Sequence, residues 1–332
     1  MEKLKSNLRL SEIQKQEKKI IYVFILSLFI YLIFVFYGDI QKITKVASLF
    51  NWKLVPLILF FTLLNYFLRA VRFYFYLKST NNYLSFYQSL IIFFSGLSMT
   101  VTPGKSGEVI KAYLAKKIAN KKFSEIIPIL VFERLTDGIA MLIMAVGGIF
   151  IVQNSKLFFI LSALFVLLFV IFIKGHNYFL LFINFLEKKI PRLKVLDFFI
   201  IFFSHSQKLL RPRTLLFGIF IGFVAWSFEG LSMYLLVKEF VNTDVIKAIT
   251  LSFFIFSFSS IAGFFVLIPG GIGVAEGSMT YFLTQFFPLS LPQSIFIVLI
   301  FRFLTLWFGV SLGLSILIAY LRKSISDNKN QV

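Results

Sequence analysis

Long apolar runs, separated by short polar and basic segments, set the pattern of this 332-residue chain. A helix needs about 20 apolar residues to cross the hydrocarbon core of a bilayer. The runs at 90–102 and 249–268 each end at a Pro-Gly pair, and the first of them is too short to cross. We therefore predict an all-α polytopic membrane protein with two re-entrant broken hairpins at these runs. About six spanning helices are predicted at 20–37, 54–77, 126–152, 157–173, 214–237 and 294–320.

Composition agrees with this pattern and excludes several classes of protein. Hydrophobic residues make up 58% of the chain and the mean hydropathy is +0.87, which is typical of an integral membrane protein and not of a soluble globule. The absence of cysteine excludes disulfides and thiol catalysis. The sequence also lacks a Walker-type nucleotide loop, a Ser-His-acid set and a metal-ligand cluster, so we expect no cofactor and no metal.

The net charge of +19 lies mainly between the apolar runs, which indicates cytoplasmic loops near anionic lipid and not nucleic-acid binding. This positive-inside pattern places both terminal segments, 1–19 and 321–332, on the cytoplasmic side of the plasma membrane. Residues 20–320 then form one transmembrane domain. Its halves, 54–152 and 214–320, are predicted to have inverted topology, which is the architecture of transporters that work by alternating access.

Two basic segments support this topology. Residues 105–122 contain six lysines, Lys111 among them, and these stay in the cytoplasm only if the run at 90–102 dips into the membrane and returns. The connection 174–213 mixes apolar and basic residues, which predicts two amphipathic helices on the inner leaflet. The alternative is that this connection binds a partner protein.

One motif, Pro-Gly-x-x-Gly with a glutamate shortly after it, occurs once in each half at the end of an apolar run. An arginine inside another apolar run follows each copy about thirty residues later. Gly- and Pro-broken helices at matching positions of two halves indicate a transporter's binding site. The first set comprises Pro103, Gly104, Gly107, Glu108 and Arg134, and the second comprises Pro269, Gly270, Gly271, Gly273, Glu276 and Arg302.

The motif has a direct effect on the backbone. Proline removes an N–H donor and glycine tolerates left-handed conformations, so each motif is predicted to stop one helix and start another. The restarting helix presents free N–H groups and a positive dipole end, which suit an anion such as a phosphate. The alternative for each copy is a kink that serves only packing.

Arginines inside the apolar runs are candidate binding residues, because a charge near the bilayer centre needs a partner or a role. We predict that Arg134 and Arg302 bind an anionic headgroup, since guanidinium groups bind phosphate in bidentate fashion. Arg69 and Arg72 lie three residues apart and share a helix face. They either snorkel to the cytoplasmic interface or have a function there.

Acidic residues complete the candidate set. Glu133 and Asp137 are four residues apart on one predicted helix and would repel each other, although Asp137 can also pair with Arg134. We therefore expect at least one of the two acids to face Arg302 or to titrate. The candidates for proton coupling, or for binding a cationic headgroup, are Glu108, Glu276 and Glu229. A purely structural ion-pair cluster is the alternative for the whole set.

Three segments resemble a known family: 98–113, which reads SMTVTPGKSGEVIKAY, 132–137, which reads FERLTD, and 268–276, which reads IPGGIGVAE. They are similar to the flippase-like family, the transmembrane domain of lysylphosphatidylglycerol synthases and its free-standing relatives. The resemblance covers roughly residues 20–320. It implies movement of a lipid between leaflets, while a separate soluble domain of the synthases transfers the amino acid from tRNA. Only a dozen residues follow Tyr320, so we do not expect aminoacyl transfer by this chain.

The sequence therefore predicts a lipid transporter that moves an anionic or zwitterionic phospholipid, or a polyprenyl-phosphate-linked lipid, between leaflets. Its partners would be that lipid and a separate lipid-modifying enzyme. One alternative is a membrane-embedded lipid-modifying transferase with Glu133 or Asp137 as general base. Another is a non-catalytic membrane partner of a glycosyltransferase, recruited through residues 174–213.

Overall fold

The computed structural model describes residues 39–102, 108–149, 156–189, 196–266 and 271–329, and these ranges are helical without any strand. The predicted first span at 20–37 and the N-terminal segment lie outside them. The helices before the connection are α1 (Ile40–Leu49), α2 (Leu54–Ser79), α3 (Phe86–Leu97), α4 (Ile110–Ala119), α5 (Phe123–Ile149) and α6 (Lys156–Lys174). The remaining helices are α7 (His176–Lys189), α8 (Leu196–Leu209), α9 (Pro212–Lys238), α10 (Val245–Phe265), α11 (Val274–Phe286), α12 (Leu291–Arg302) and α13 (Phe308–Lys329), with a π-helix at Phe303–Trp307 between the last two.

Helix length and composition confirm an all-α polytopic membrane protein. In the described residues four helical stretches are long and apolar enough to cross a bilayer: α2, α9, α10 and the joined α12–α13 at Leu291–Lys323. Ala163–Lys174 and His176–Leu186, bent by 61° at their junction, make a fifth if the pair is counted as one broken span. Helix α5 has 27 residues but carries Glu133, Arg134 and Asp137 near its middle. Its predicted crossing therefore depends on partners for these charges.

The two halves pack in opposite directions, as inverted topology predicts. Helix α2 lies along α9, and residues early in one contact residues late in the other: the Phe61 and Phe228 rings are 5.5 Å apart, and the Phe75 and Phe217 rings 4.2 Å. Extensive contacts between the halves also join α3 to α13, α5 to α10 and α5 to α9. Helix α3 of half one corresponds to α10 of half two, and α5 corresponds to the joined α12–α13. Exchanging the halves therefore turns the α3–α13 contact into the α5–α10 contact, which is the pattern of a pseudo-two-fold axis.

The two broken hairpins differ in length. Helix α3 has 12 residues and spans about 18 Å, too short for a hydrocarbon core of about 30 Å. Helix α10 has 21 residues and is long enough to cross. Both begin with a side-chain cap, in which Ser85 accepts a hydrogen bond from Gln88 N and Asp244 from Lys247 N. A re-entrant path for the second hairpin therefore stays a prediction.

The basic connection forms two helices, α7 and α8, close to the positions predicted. Helix α8 packs on α5 and buries Phe203, Ser206 and Leu209. Helix α7 instead leaves Tyr178 and Leu181 exposed. An apolar face that the protein leaves uncovered is typical of a helix at the membrane surface. The inner-leaflet location itself remains a prediction.

Candidate functional site

A cavity of about 170 Å³ lies between the two halves. Half one lines it from α2, from Thr100 and Thr102 just before the first broken segment, and from α5. Half two lines it from α9, α10, Gly271 of the second broken segment, α11 and the π-helix. The charged residues in its wall are Arg69, Arg134, Asp137, Glu229 and Arg302. The cavity thus gathers several predicted site residues, together with residues next to the first motif and Gly271 of the second.

In half one a chain of alternating charges connects buried side chains and includes Arg134 and Asp137 of the cavity wall. It connects α2, α4 and α5, and its members are almost completely shielded from solvent. Five contacts make up the chain: Glu133–Lys111 (3.0 Å), Lys111–Glu108 (3.5 Å), Glu108–Arg134 (3.5 Å), Arg134–Asp137 (3.1 Å) and Asp137–Arg72 (2.6 Å). Because each buried charge has an opposite neighbour, the high cost of leaving it unpaired is avoided.

Asp137 is the most heavily contacted acid of this chain. Its Oδ1 accepts hydrogen bonds from the Arg72 guanidinium at 2.6 Å and from the Trp226 indole at 2.8 Å, and its Oδ2 lies 3.1 Å from Arg134. Trp226 belongs to α9, so Asp137 also connects the two halves. The cations that pair with Asp137 and Glu133 are Arg72 and Lys111, and Arg302 pairs with Glu276 instead. The other half of the expectation, that one of the two acids titrates, stays a prediction.

In half two the corresponding pair is Arg302 and Glu276, with Nε and Oε1 2.6 Å apart. The arginine follows the glutamate by 26 residues, the same separation as between Glu108 and Arg134. The other oxygen of Glu276 accepts the Gly273 N–H at 2.7 Å, at the start of α11. The N-terminus predicted to be available to an anion therefore already holds the protein's own carboxylate.

Glycines of the second motif are required by the backbone. Gly271 and Gly273 have φ angles of 67° and 91°, which favour glycine. A Cβ on Gly271 would also lie only 3.0 Å from the Cα of Gly263 in α10. This close approach brings the second broken segment against α10 beside the cavity. The predicted residues Pro103, Gly104, Gly107, Pro269 and Gly270 lie outside the described residues.

Three basic residues that sequence reasoning did not place in the site are buried in it. Snorkelling is wrong for Arg69 and Arg72, which are 4% and 0% exposed. Lys111, counted above among the cytoplasmic lysines, is 1% exposed and pairs with Glu108 and Glu133. Its position three residues after Glu108 was the one available signal, because residues three apart share a helix face.

The wall of the cavity opposite the charges is apolar and reaches the outer surface. Phe165 of α6 and Phe265 at the end of α10 line the cavity, yet they are 50% and 43% exposed. Their rings meet edge to face with centroids 5.4 Å apart. The cavity therefore combines a few charged side chains with a mostly apolar lining, and this aromatic pair lies where the lining meets the exposed surface. Among the described residues, no group of three His, Asp or Glu is placed to hold a metal ion.

Comparison with known proteins agrees with this architecture. A family model described as the lysylphosphatidylglycerol synthase TM region matches residues 21–313. The chain belongs to this family. A UPF0104 membrane protein of Methanocaldococcus jannaschii is similar as well, with 27% identity over 190 residues, which are 55% of this chain and 77% of that protein.

Membership of the lysylphosphatidylglycerol synthase TM family confirms the resemblance seen in the three motif segments. The match includes both hairpins and both Glu–Arg pairs, and the arginine of each pair lines the cavity. The family and the spanning helices together make the chain an integral membrane protein.

Proposed function

We propose that this protein moves a lipid with an anionic or zwitterionic phosphate headgroup between the leaflets of the plasma membrane, with both termini in the cytoplasm. The lipid would be a phospholipid or a polyprenyl-phosphate-linked lipid. The observation that supports this best is one cavity at the interface of two antiparallel halves, lined by Arg134 and Arg302, the arginines that follow the two motifs. Transporters with inverted repeats place their substrate at such an interface and expose it to the two sides in turn.

The size of the cavity supports a headgroup as its occupant. Pockets that enclose whole drug-sized ligands have volumes of about 300–1,000 Å³. This cavity has about 170 Å³, which suits a small polar group and leaves no room for acyl chains. In our proposal the chains stay in the bilayer and pass the apolar side at Phe165 and Phe265.

A lipid-modifying transferase has less support from the same contacts. Its general base would be Glu133 or Asp137, but Asp137 is engaged by Arg72, Arg134 and Trp226. Glu133 is bound to Lys111 and is absent from the cavity wall. A general base must lie within hydrogen-bond reach of the substrate, and Glu133 does not reach the cavity, while the charge of Asp137 is opposed by two arginines. The proposed transport requires only binding and release.

The function is tested with purified protein reconstituted into vesicles that contain tail-labelled fluorescent phosphatidylglycerol, phosphatidylcholine or a polyprenyl phosphate. Dithionite reduces only outward-facing label, so transport appears as a loss of the protected fraction. We expect faster loss than in protein-free vesicles for at least one lipid, with slower loss for Arg302→Gln. The matched control is Arg211→Gln, which removes the charge of an exposed arginine.

Three results would count against the proposal. Rates equal to those of protein-free vesicles with all three lipids would contradict it. A chemically changed lipid in the extract would favour the transferase, and activity only after addition of a glycosyltransferase would favour the partner role.

A further inference from the structure

Arg69 differs from the other arginines of the cavity wall in its partners. Arg134 lies within 3.5 Å of Glu108 and Asp137, and Arg302 within 2.6 Å of Glu276. Within the described ranges, no carboxylate oxygen lies within 4.0 Å of the Arg69 guanidinium. Its hydrogen bond to Asn65 Oδ1 is long, at 3.4 Å, and its Nε has no hydrogen-bond partner.

This arginine is nevertheless held firmly in place. Its guanidinium stacks over the Trp226 ring at 4.5 Å, and it also approaches the Phe93 ring at 5.8 Å. Trp226 is fixed by its hydrogen bond to Asp137, and Asn65 by its own to the Ala225 carbonyl at 2.8 Å. The planar cation is therefore preorganised at the cavity wall while its hydrogen-bonding capacity is largely unused.

A buried cation in such surroundings is costly without an anion, because stacking replaces only part of its hydration. Carboxylates oppose the charges of Arg134 and Arg302 at 3.5 Å or less, so an incoming anion competes least at Arg69. A phosphate oxygen can accept a charge-assisted hydrogen bond from a guanidinium, and two oxygens can accept a parallel pair. The cavity has room for such a group beside Arg69.

We propose that Arg69, stacked on Trp226, binds the phosphate of the lipid headgroup and so selects lipids that carry a phosphodiester or phosphomonoester. This inference rests on the proposed lipid transport, and it assigns to Arg134 and Arg302 the role of pairs that shape the cavity. The remainder of the headgroup then faces the wall that contains Glu229. Recognition follows the phosphate, so phosphatidylglycerol and phosphatidylcholine should both depend on Arg69.

The test measures equilibrium binding to purified protein in a non-ionic detergent, without any transport. The probes are short-chain dihexanoyl-phosphatidylglycerol and dihexanoyl-phosphatidylcholine, with dihexanoylglycerol as the lipid that lacks phosphate and inorganic phosphate as the phosphate that lacks lipid. For Arg69→Gln we expect about ten- to hundredfold weaker binding of both phospholipids, the loss of one charge-assisted contact. Lys78→Gln is the matched control, since it removes an exposed charge from the same helix.

Folding is checked by size-exclusion chromatography and circular dichroism. Should Arg69→Gln fail this check, Arg69→Lys decides, because it keeps the charge but loses the planar fork and the stacking. Intermediate binding by the lysine variant supports the proposal, and wild-type affinity in either variant overturns it. Equal wild-type affinity for dihexanoylglycerol, or for inorganic phosphate, also overturns it.

This result is separable from the proposed function. Loss of binding in Arg69→Gln without any transport by the wild type would retain the phosphate site and reject the transporter. Transport that continues unchanged in Arg69→Gln would retain the transporter and reject the phosphate site at Arg69.

Discussion

The two halves contain the same Glu–Arg pair but surround it differently. In half one Glu108 and Arg134 are members of a chain of five ion contacts that joins α2, α4 and α5. In half two Glu276 and Arg302 form a direct 2.6 Å pair, and the helix becomes a π-helix immediately after the arginine. The Glu–Arg pair of half one is thus part of a buried ion network, while the pair of half two lies next to a π-helix.

This difference indicates that the half-one network mainly stabilises the fold, while the half-two pair mainly takes part in lipid binding and transport. Each member of a buried ion network is costly to remove, so the network fixes the geometry of half one. A π-helix interrupts the regular hydrogen bonding of a helix and is frequent at functional sites. We therefore expect substitutions in the half-one network to act mainly on folding, and substitutions at the half-two pair to act mainly on lipid binding and transport.

The largest effect is expected from Asp137→Ala. It leaves Arg72 and Arg134 without their shared carboxylate, and breaking a buried ion pair typically costs about 3–5 kcal/mol. We expect a strongly lowered melting temperature, or loss of the monodisperse peak, in detergent. Asp197→Ala, at an exposed position of α8, controls for charge. Equal melting of Asp137→Ala and wild type would show that the network does not stabilise half one.

Glu276→Gln tests the other side of the comparison. The amide keeps the shape of the side chain but removes the charge that opposes Arg302. Without that charge, Arg302 becomes a second cation available to a phosphate bound at Arg69. We therefore expect the headgroup to bind about ten- to hundredfold more tightly and to leave more slowly, so that transport falls while stability falls less than in Asp137→Ala. Binding and vesicle assays measure both quantities, with the exposed Glu239→Gln as control. If Glu276→Gln unfolded as readily as Asp137→Ala, the two halves would not differ in their contributions to stability, and the comparison would be wrong.

A smaller effect is expected at the second broken segment. Gly271→Ala places a side chain at a φ of 67° and against the Gly263 backbone, at a cost of about 1–3 kcal/mol. The control is Gly138→Ala in α5, where a new Cβ meets nothing within 4 Å and helix propensity improves. Thermal denaturation should therefore move the two variants in opposite directions. Identical shifts would mean that the backbone at Gly271 is not constrained.

The smallest effect on stability is expected at the aromatic side of the cavity. Phe165 is half exposed, so Phe165→Ala should change the unfolding free energy by only about 0.5 kcal/mol, while removing one ring of the Phe165–Phe265 contact. We expect faster lipid exchange in the vesicle assay. Leu168→Ala alters an exposed residue of the same helix away from the cavity and should leave the rate unchanged. An unchanged rate in Phe165→Ala would place the lipid chains elsewhere.

Much of this arrangement could be predicted from local sequence. The paired motifs indicated two halves, and the antiparallel packing of α2 on α9 agrees with that prediction. The two glutamates and the two arginines were identified as candidates because charges inside apolar runs are conspicuous. Which residues pair could not be predicted, because Arg72 meets Asp137 across 65 positions of sequence.

The burial of Arg69 and Lys111 could not be predicted from the sequence for a related reason. A long basic side chain inside an apolar run can either snorkel or be buried, and its neighbours decide between the two outcomes. The neighbour of Arg69 is Trp226, in the other half of the molecule. Lys111 lies in a segment whose other lysines indicated a cytoplasmic surface, so its burial between Glu108 and Glu133 became visible only in three dimensions.

The π-helix at Phe303–Trp307 also sets the rotational phase of the helix that follows it. A π-turn contains one residue more than an α-turn, and an α-helix advances by about 100° per residue. With this phase, Gly309 faces the Tyr66 side chain and Gly313 faces the backbone of α3. Deleting a single residue here would turn α13 by about 100° and replace both glycines at the seam between the halves with bulkier neighbours.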